Sequence, residues 1–334
     1  MKETYKNYNG CPRVYIIIVN YKGYNDTIEC LESIIENRYE NYRIIVVDNY
    51  SENDSLKFIE SWADSKKEAL NHISFNESII NSEKVTAAED VRLILLQANG
   101  NRGFAAGNNI GIKYALLEND FEYIWLLNND TVIEKDSLAK LAKKAQGDKN
   151  NGLNTGITGS KLLFYDNRDI IQGVGGKYNK WIGSSKHIGG FEKDAGQYDD
   201  DKVKGKINYI IGASMFISKK FIEDVGLMCE DYFVYFEDLD WAARGERKGW
   251  NIGYCWESRI YHKFGATIGS SENKKEKSEI SDYYALKNRI LFTKKFYPYC
   301  LFTVYAGFIA VIFNRIVRRQ FKRLKMVFSI LKST

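Results

Sequence analysis

The chain has 334 residues, 44% of them hydrophobic and 27% charged, with 2 prolines against 23 tyrosines and 18 phenylalanines. That balance excludes extensive disorder and fits one large domain or two small ones. The net charge of +5 is uneven: residues 315–332 hold seven basic residues and no acid, so the remainder carries about −2 by difference and is not a basic nucleic-acid-binding body.

Met1 to Gly10 is polar, so no secretory signal is predicted there. "RVYIIIVNY" (13–21) predicts a first strand, continuous and β-branched. "DTIECLESIIEN" predicts a helix opened by a capping box, Asp26 with Glu29. "YRIIVVDN" (42–49) is a second buried strand and "SENDSLKFIESWA" a second helix. Residues 64–90 are polar and predict a surface insertion. "VRLILLQ" (91–97), "GNNIGIKYALLEN" (107–119) and "YIWLLNND" (123–130) then give strand, helix and strand. Such alternation with short connections argues a parallel sheet covered by helices. After 150 the Gly-rich texture predicts a mixed or antiparallel region. The 5 cysteines are scattered without a CxxC pair, which argues against a zinc or disulfide framework and fits a reducing compartment.

The predicted strands end in polar residues: Asn20, then Asp48 and Asn49, then "QANGNRGFAAGNN", then Asn128, Asn129 and Asp130. In a parallel sheet these termini share one edge, the edge where ligands bind in open α/β folds. Asp48 can accept from a base amide or a ribose hydroxyl, or simply hold an Asx turn. Gly103 and its small neighbours, with Asn108, let a ligand approach the backbone. Asp130 suits a hard divalent cation, Mg²⁺ or Mn²⁺, that arrives with a diphosphate. "DYFVYFEDLDWAARGERKGW" runs aromatics into Glu237, Asp238 and Asp240 before a helix. His262 lies in a polar, Gly-containing stretch that reads as a loop, while His72 and His187 read as surface residues.

"IIIVNYKGYNDTIECLESI", "IIVVDNYSENDS", "NGNRGFAAGNNIGI", "WLLNNDTVI", "IGASMFISKKFIEDVG", "YFVYFEDLDWAARGERKGW", "HKFGATIG" and "YYALKNRILFTKKFYP" stand in one order. Together they resemble glycosyltransferase family 2, with a GT-A α/β fold, and its rhamnosyltransferase-like branch. The resemblance implies that Asp48 contacts the nucleotide base. Asp130 takes the metal carboxylate's place, the family's first acid being replaced here by Asn128. Asp238 aligns with the catalytic base, and His262 with a diphosphate- or metal-side histidine. Asn20, Asn49, Gly103, Asn108, Asn128, Asn129, Glu237 and Arg289 complete the expected donor set. Arg289 enters through a YY…NR match that includes Asn288. One carboxylate base without a second nucleophile suits direct displacement with inversion.

The expected organisation is a GT-A domain over 11–295 and a tail over 296–334. Its sugar-nucleotide half covers about 11–150, and its acceptor half about 151–295. Residues 296–314 carry no charge, and the basic stretch after them alternates with Ile316, Val317, Phe321, Leu324, Val327, Phe328 and Leu331. At helical spacing this predicts a helix lying on an anionic membrane. The expected partners are a nucleotide-sugar donor, a lipid-linked glycan acceptor and the cytoplasmic membrane face, with no nucleic acid. The preferred donor is dTDP-L-rhamnose. A UDP-sugar carrying galactofuranose or a hexose, and an inactive sugar-nucleotide binder, are the alternatives.

Overall fold

β1 (Val14–Asn20) forms because seven residues, five of them Val or Ile, bury both faces. The remaining elements follow in chain order: α1 (Tyr24–Ile35), β2 (Tyr42–Asp48), α2 (Ser55–Ser65), β3 (His72–Asn76), β4 (Leu93–Gln97), α3 (Phe104–Glu118), β5 (Tyr123–Asn128), β6 (Thr131–Ile133) and α4 (Ser137–Asn150). The second half adds β7 (Thr155–Phe164), β8 (Ile171–Gly173), β9 (Gly176–Asn179), β10 (Ser184–His187), β11 (Ser214–Ser218), α5 (Lys219–Val225), α6 (Glu237–Arg247), β12 (Asn251–His262), α7 (Glu279–Phe296), α8 (Leu301–Val317) and α9 (Phe321–Ser333). This computed structural model describes residues 11–67, 70–81, 87–263 and 278–333. The Met1 to Gly10 stretch and the end of "HKFGATIG" beyond Lys263 lie outside the described residues.

Among the described residues one sheet runs β3-β4-β2-β1-β5-β11-β7-β12-β6, with β8 beside β7. β1 is parallel to β2 and β5, and β2 is parallel to β4. The register sets Asn20 beside Asp48, Asp48 beside Gln97 and Val19 beside Asn128. The predicted shared polar edge is therefore present. Alternate residues feed two cores: Ile17, Ile45 and Ile94 face α3, while Ile16, Ile44 and Leu93 face the opposite layer. Gly107 and Gly111 let α3 lie close on β1, since a Cβ would press on Val19 and Ile17. Those small residues serve helix–sheet packing.

Three elements differ from the sequence reading. The 64–90 insertion contains β3, an edge strand parallel to β4, and His72 is its first residue; residues 68–69 and 82–86 lie outside the described residues. The expected capping box is absent: α1 has Gly23 at its N-cap with no side-chain cap, and Asp26 and Glu29 both receive Lys263 Nζ instead. His262 ends β12 rather than sitting in a loop. β12 pairs with β7 and carries a register shift between Cys255 and Arg259, where polar residues break its pattern.

The tail also packs more than expected. Val304, Phe308, Val327 and Ile330 close over Leu286 and Ile290 of α7. Arg315 and Arg323 pair with Asp282, and Lys322 with Glu279. Three of the seven tail cations are therefore engaged by α7. Among the described residues Arg318, Arg319, Lys325 and Lys332 make no ion pair.

Candidate active site

Asp48 lies beneath the polar edge, 1% exposed. Its Oδ2 accepts from Asn20 Nδ2 at 2.7 Å and Ser51 Oγ at 2.6 Å. Its Oδ1 accepts from the Ser51 amide at 2.9 Å and Gln97 Nε2 at 3.0 Å. Both oxygens are thus committed to holding the ends of β1, β2 and β4 together. Asn20 also accepts from Thr27 Oγ1 at 2.9 Å, which ties α1 into the same net. Asn129 Nδ2 donates to Thr27 Oγ1 at 3.1 Å. Ser51 and Thr27 were not singled out from the sequence, although both lie inside quoted motifs.

Three strands converge at Asp130. β12 runs antiparallel to β6 and sets His262 opposite Thr131. His262 Nδ1 faces Gln172 Oε1 at 2.7 Å; in the tautomer that donates from Nδ1 to this oxygen, Nε2 carries the lone pair. Asn128 Nδ2 lies 3.3 Å from Nε2, as a donor. Asp130 Oδ1 is 3.0 Å from Nε2 but receives no hydrogen bond. The distance is that of an ion pair, yet in this tautomer both atoms are acceptors. Asn128 Oδ1 is also buried without a partner. Electron-rich atoms crowded this way fit a cation, because adjacent ligands at about 2.1 Å from one ion lie roughly 3 Å apart. Among the described residues no cluster of three His, Cys, Asp or Glu side chains exists. The set thus fits an ion that brings phosphate oxygens of its own. Gln172 orients the ring as outer partners of metal-side histidines do, and nothing in "DIIQGVGG" announced it. His187, read from sequence as a surface residue, stands behind this group; burial lowers its pKa, and His262 acts in the same direction.

On the other side of Gly212 stands Asp238. Its Oδ2 accepts from the Gly212 amide at 3.3 Å, and its Oδ1 from the Leu239 amide at 2.8 Å. The Ala213 carbonyl accepts from the Asn128 amide at 3.0 Å, so this short segment links Asp238 to the Asp130 side. Burial pushes Asp238 up to about 6. Glu237, 5% exposed with Oε2 unpartnered, is held well above the carboxylate range by burial and then by Asp238. Asp240 differs: it receives Arg244 Nε at 2.6 Å, Tyr232 Oη at 3.1 Å and Lys295 Nζ at 2.5 Å, and is structural.

The segment feeding this acid pair is strained. Phe233, Tyr235 and Phe236 all have positive φ, at 62°, 67° and 77°. Asn288 supplies the restraint: its Nδ2 lies within 2.9 Å of the Tyr232, Val234 and Tyr235 carbonyls. That is the structural meaning of the asparagine in the YY…NR match. Asn288→Ala is expected to lower stability by about 2–3 kcal/mol, because it leaves buried carbonyls without a donor. Urea unfolding measures this, and an unchanged midpoint would show that the segment is held by other means.

A cleft of about 840 Å³ opens at the strand edge, lined among others by Asn49, Gly103, Phe104, Asn128, Asn129 and Tyr284. That volume suits a small-molecule ligand. Asn49 Nδ2 bonds to Asn101 Oδ1 and to the Gly103 carbonyl, each at 3.1 Å, and its Oδ1 is free. Gly103, at φ +94°, lets the Phe233 backbone approach; a Cβ would overlap the Phe233 carbonyl. Two expected donor residues are placed elsewhere. Asn108 is 1% exposed and bonds the Phe104 carbonyl within α3. Arg289 packs beneath Gly183 with its guanidinium over the Phe308 ring, between α7, α8 and the β9–β10 hairpin.

Comparison with known proteins settles the family. The Glycosyl transferase family 2 profile matches residues 15–226. The chain belongs to this family. It is 27% identical over 242 residues to the low-salt glycan biosynthesis hexosyltransferase Agl10 of Haloferax volcanii, covering 72% of this chain. It spans 64% of that relative's length, under two thirds. It is 24% identical over 285 residues to the dTDP-rhamnosyl transferase RfbF of Shigella flexneri, covering 84% of this chain and 80% of that one. Among solved structures, the mannosyltransferase PcManGT of Pyrobaculum calidifontis, in complex with GDP-Man and Mn²⁺, superposes with a TM-score of 0.55 at 13% identity. That superposition covers 97% of this chain and 75% of the other. The likeness establishes the GT-A fold.

Proposed function

We propose that this family 2 chain is an inverting glycosyltransferase that moves L-rhamnose from dTDP-L-rhamnose to a hydroxyl of a lipid-linked glycan. The observation that carries the reading is the facing pair Asp130 Oδ1 and His262 Nε2, 3.0 Å apart with no hydrogen bond to Oδ1, across Gly212–Ala213 from the buried carboxyl of Asp238. One wall suits a departing diphosphate, and the other a hydroxyl losing its proton. Asp130 and His262, with Asn128 Oδ1, would hold a divalent ion, which when bound supplies Lewis-acid neutralisation of the diphosphate. Asp238 takes the acceptor hydroxyl's proton as its oxygen attacks the anomeric carbon. Burial, and then Asp238, hold Glu237 well above the usual carboxylate range, which disfavours ionising both acids of the pair. Phe104 lines the cleft and lies beside Gly212, as Asp238 does.

The rhamnosyl donor is favoured by the RfbF relative, and a hexose donor by Agl10. Membrane placement is supported by the Pro298–Val317 stretch, the one described helix long and apolar enough to cross a bilayer. Phe302, Ile309 and Phe313 on it are exposed. The four unpaired tail cations add attraction to anionic lipid. The test is the transfer product: with dTDP-β-L-rhamnose and a lipid-linked acceptor, NMR should show an α-linkage. A product with retained β configuration would overturn the direct displacement.

A further inference from the structure

A second cavity, of about 700 Å³, lies between the β9–β10 hairpin, α6 and the end of α7. Its lining includes Lys177, Lys180, Lys186, Trp181, Tyr297 and Glu246. Three cations against one acid leave an excess of positive charge. Among the described residues none of the three lysines makes an ion pair. Lys180 is held in place by rings: its Nζ lies 3.2 Å from Tyr299 Oη and within 6 Å of the Trp181, Tyr297 and Tyr299 ring centres. An unused hairpin lysine would be left to swing in solvent. Lys177 and Lys186 stand directly opposite each other across the hairpin on the same lining, which is unfavourable unless an anion joins them.

The cavity's position narrows the anion. Thr303 Oγ1 of α8 donates to the Trp181 carbonyl at 2.5 Å, so the hairpin tip is tied to the start of the long apolar helix. Trp181 and Ile182 are each 52% exposed, and Phe302 is 84% exposed beside them. Exposed Trp and Tyr next to a long apolar helix are what a membrane–water interface favours. The opposite wall includes Leu239, the residue after Asp238. Ser185, on the same lining, neighbours Tyr209, whose pKa burial raises first and the Asp238 charge next. The cavity therefore lies between the hairpin tip beside the long apolar helix and the first turn of α6, the turn that carries Asp238. We infer that it binds the phosphate or diphosphate group linking the acceptor glycan to its lipid, and so orients the acceptor sugar towards Asp238. This rests on the membrane-associated reading above.

The test uses the full-length protein and neutral phosphatidylcholine vesicles carrying either a polyprenyl diphosphate or phosphatidylglycerol at equal charge. Lys177→Gln/Lys180→Gln/Lys186→Gln is compared with the tail variant Lys325→Gln/Lys332→Gln. The triple variant should bind polyprenyl diphosphate vesicles about 10-fold more weakly or worse, and phosphatidylglycerol vesicles within about 2-fold of wild type. The tail variant should show the opposite pattern, and both should bind the sugar nucleotide as wild type does. Should the triple variant lose nothing, or lose both vesicle types equally, the cavity is not the diphosphate site and the membrane reading stands. If the wild type binds neither vesicle, the membrane reading itself fails and the inference with it. Loss of sugar-nucleotide binding by the triple variant would also overturn it, by placing these lysines on the donor.

Discussion

Asp238→Asn is expected to lower kcat by about 10³-fold while leaving the donor dissociation constant within about 2-fold of wild type. The carboxylate acts only as the acceptor hydroxyl loses its proton, so its loss falls on the chemical step. The asparagine oxygen can still accept from the Leu239 amide, the shorter of the two backbone bonds at 2.8 Å, so only the longer Gly212 contact at 3.3 Å is given up. The pH profile follows from burial. With Asp238 pushed up to about 6, the wild-type rate should rise through that pH and level off above it. Stability moves the other way. An unfolded aspartate titrates near 4, so from there to about 6 the unfolded chain releases a proton that the folded chain keeps, and the fold weakens as pH rises. The asparagine variant lacks this loss. It should be more stable than wild type at pH 8, by an amount on the order of 2 kcal/mol, and equal to it below pH 4. Full activity in the variant would remove Asp238 from the base position.

The first half of the fold was legible because its strands are long apolar runs. β1, β2, β4 and β5 bury both faces, and nothing but a sheet accommodates that. Their polar ends were legible for the same reason, since parallel strands finish on one edge. What could not be read depended on contacts distant in sequence. His262 looked like a loop residue because β12 is polar and shifts register before it. Asp26 and Glu29 have the spacing of a capping box, and only the fold shows that Lys263, more than two hundred residues on, takes them both. Asn108 sat in a promising run, but its amide turns back to the carbonyl four residues earlier. The tail's charge was visible in the sequence, but its pairing with Asp282 and Glu279 was not. For that reason removing the tail would also uncover Leu286 and Ile290, and point substitutions are the cleaner probe.

Asp130→Ala should abolish the metal dependence of donor binding. The carboxylate is 4% exposed, with Oδ1 free of donors, and it is the one anionic group in the His262–Asn128 cluster. Alanine leaves only neutral donors, too weak a set for a hard cation in competition with water. Donor affinity in the presence of metal should therefore fall on the order of 100-fold, because the diphosphate charge is no longer neutralised. The fold should persist, since Asp130 contributes its backbone rather than its side chain to the Lys263 amide bond. The decisive measurement is calorimetric titration of the full-length protein with dTDP-L-rhamnose and with UDP-hexoses, with Mn²⁺ and after EDTA, for wild type and Asp130→Ala. Metal-dependent binding of one of these nucleotide sugars by wild type, lost in Asp130→Ala, is the result predicted here. Binding of none of them, or binding equally tight after EDTA and in Asp130→Ala, would contradict the account.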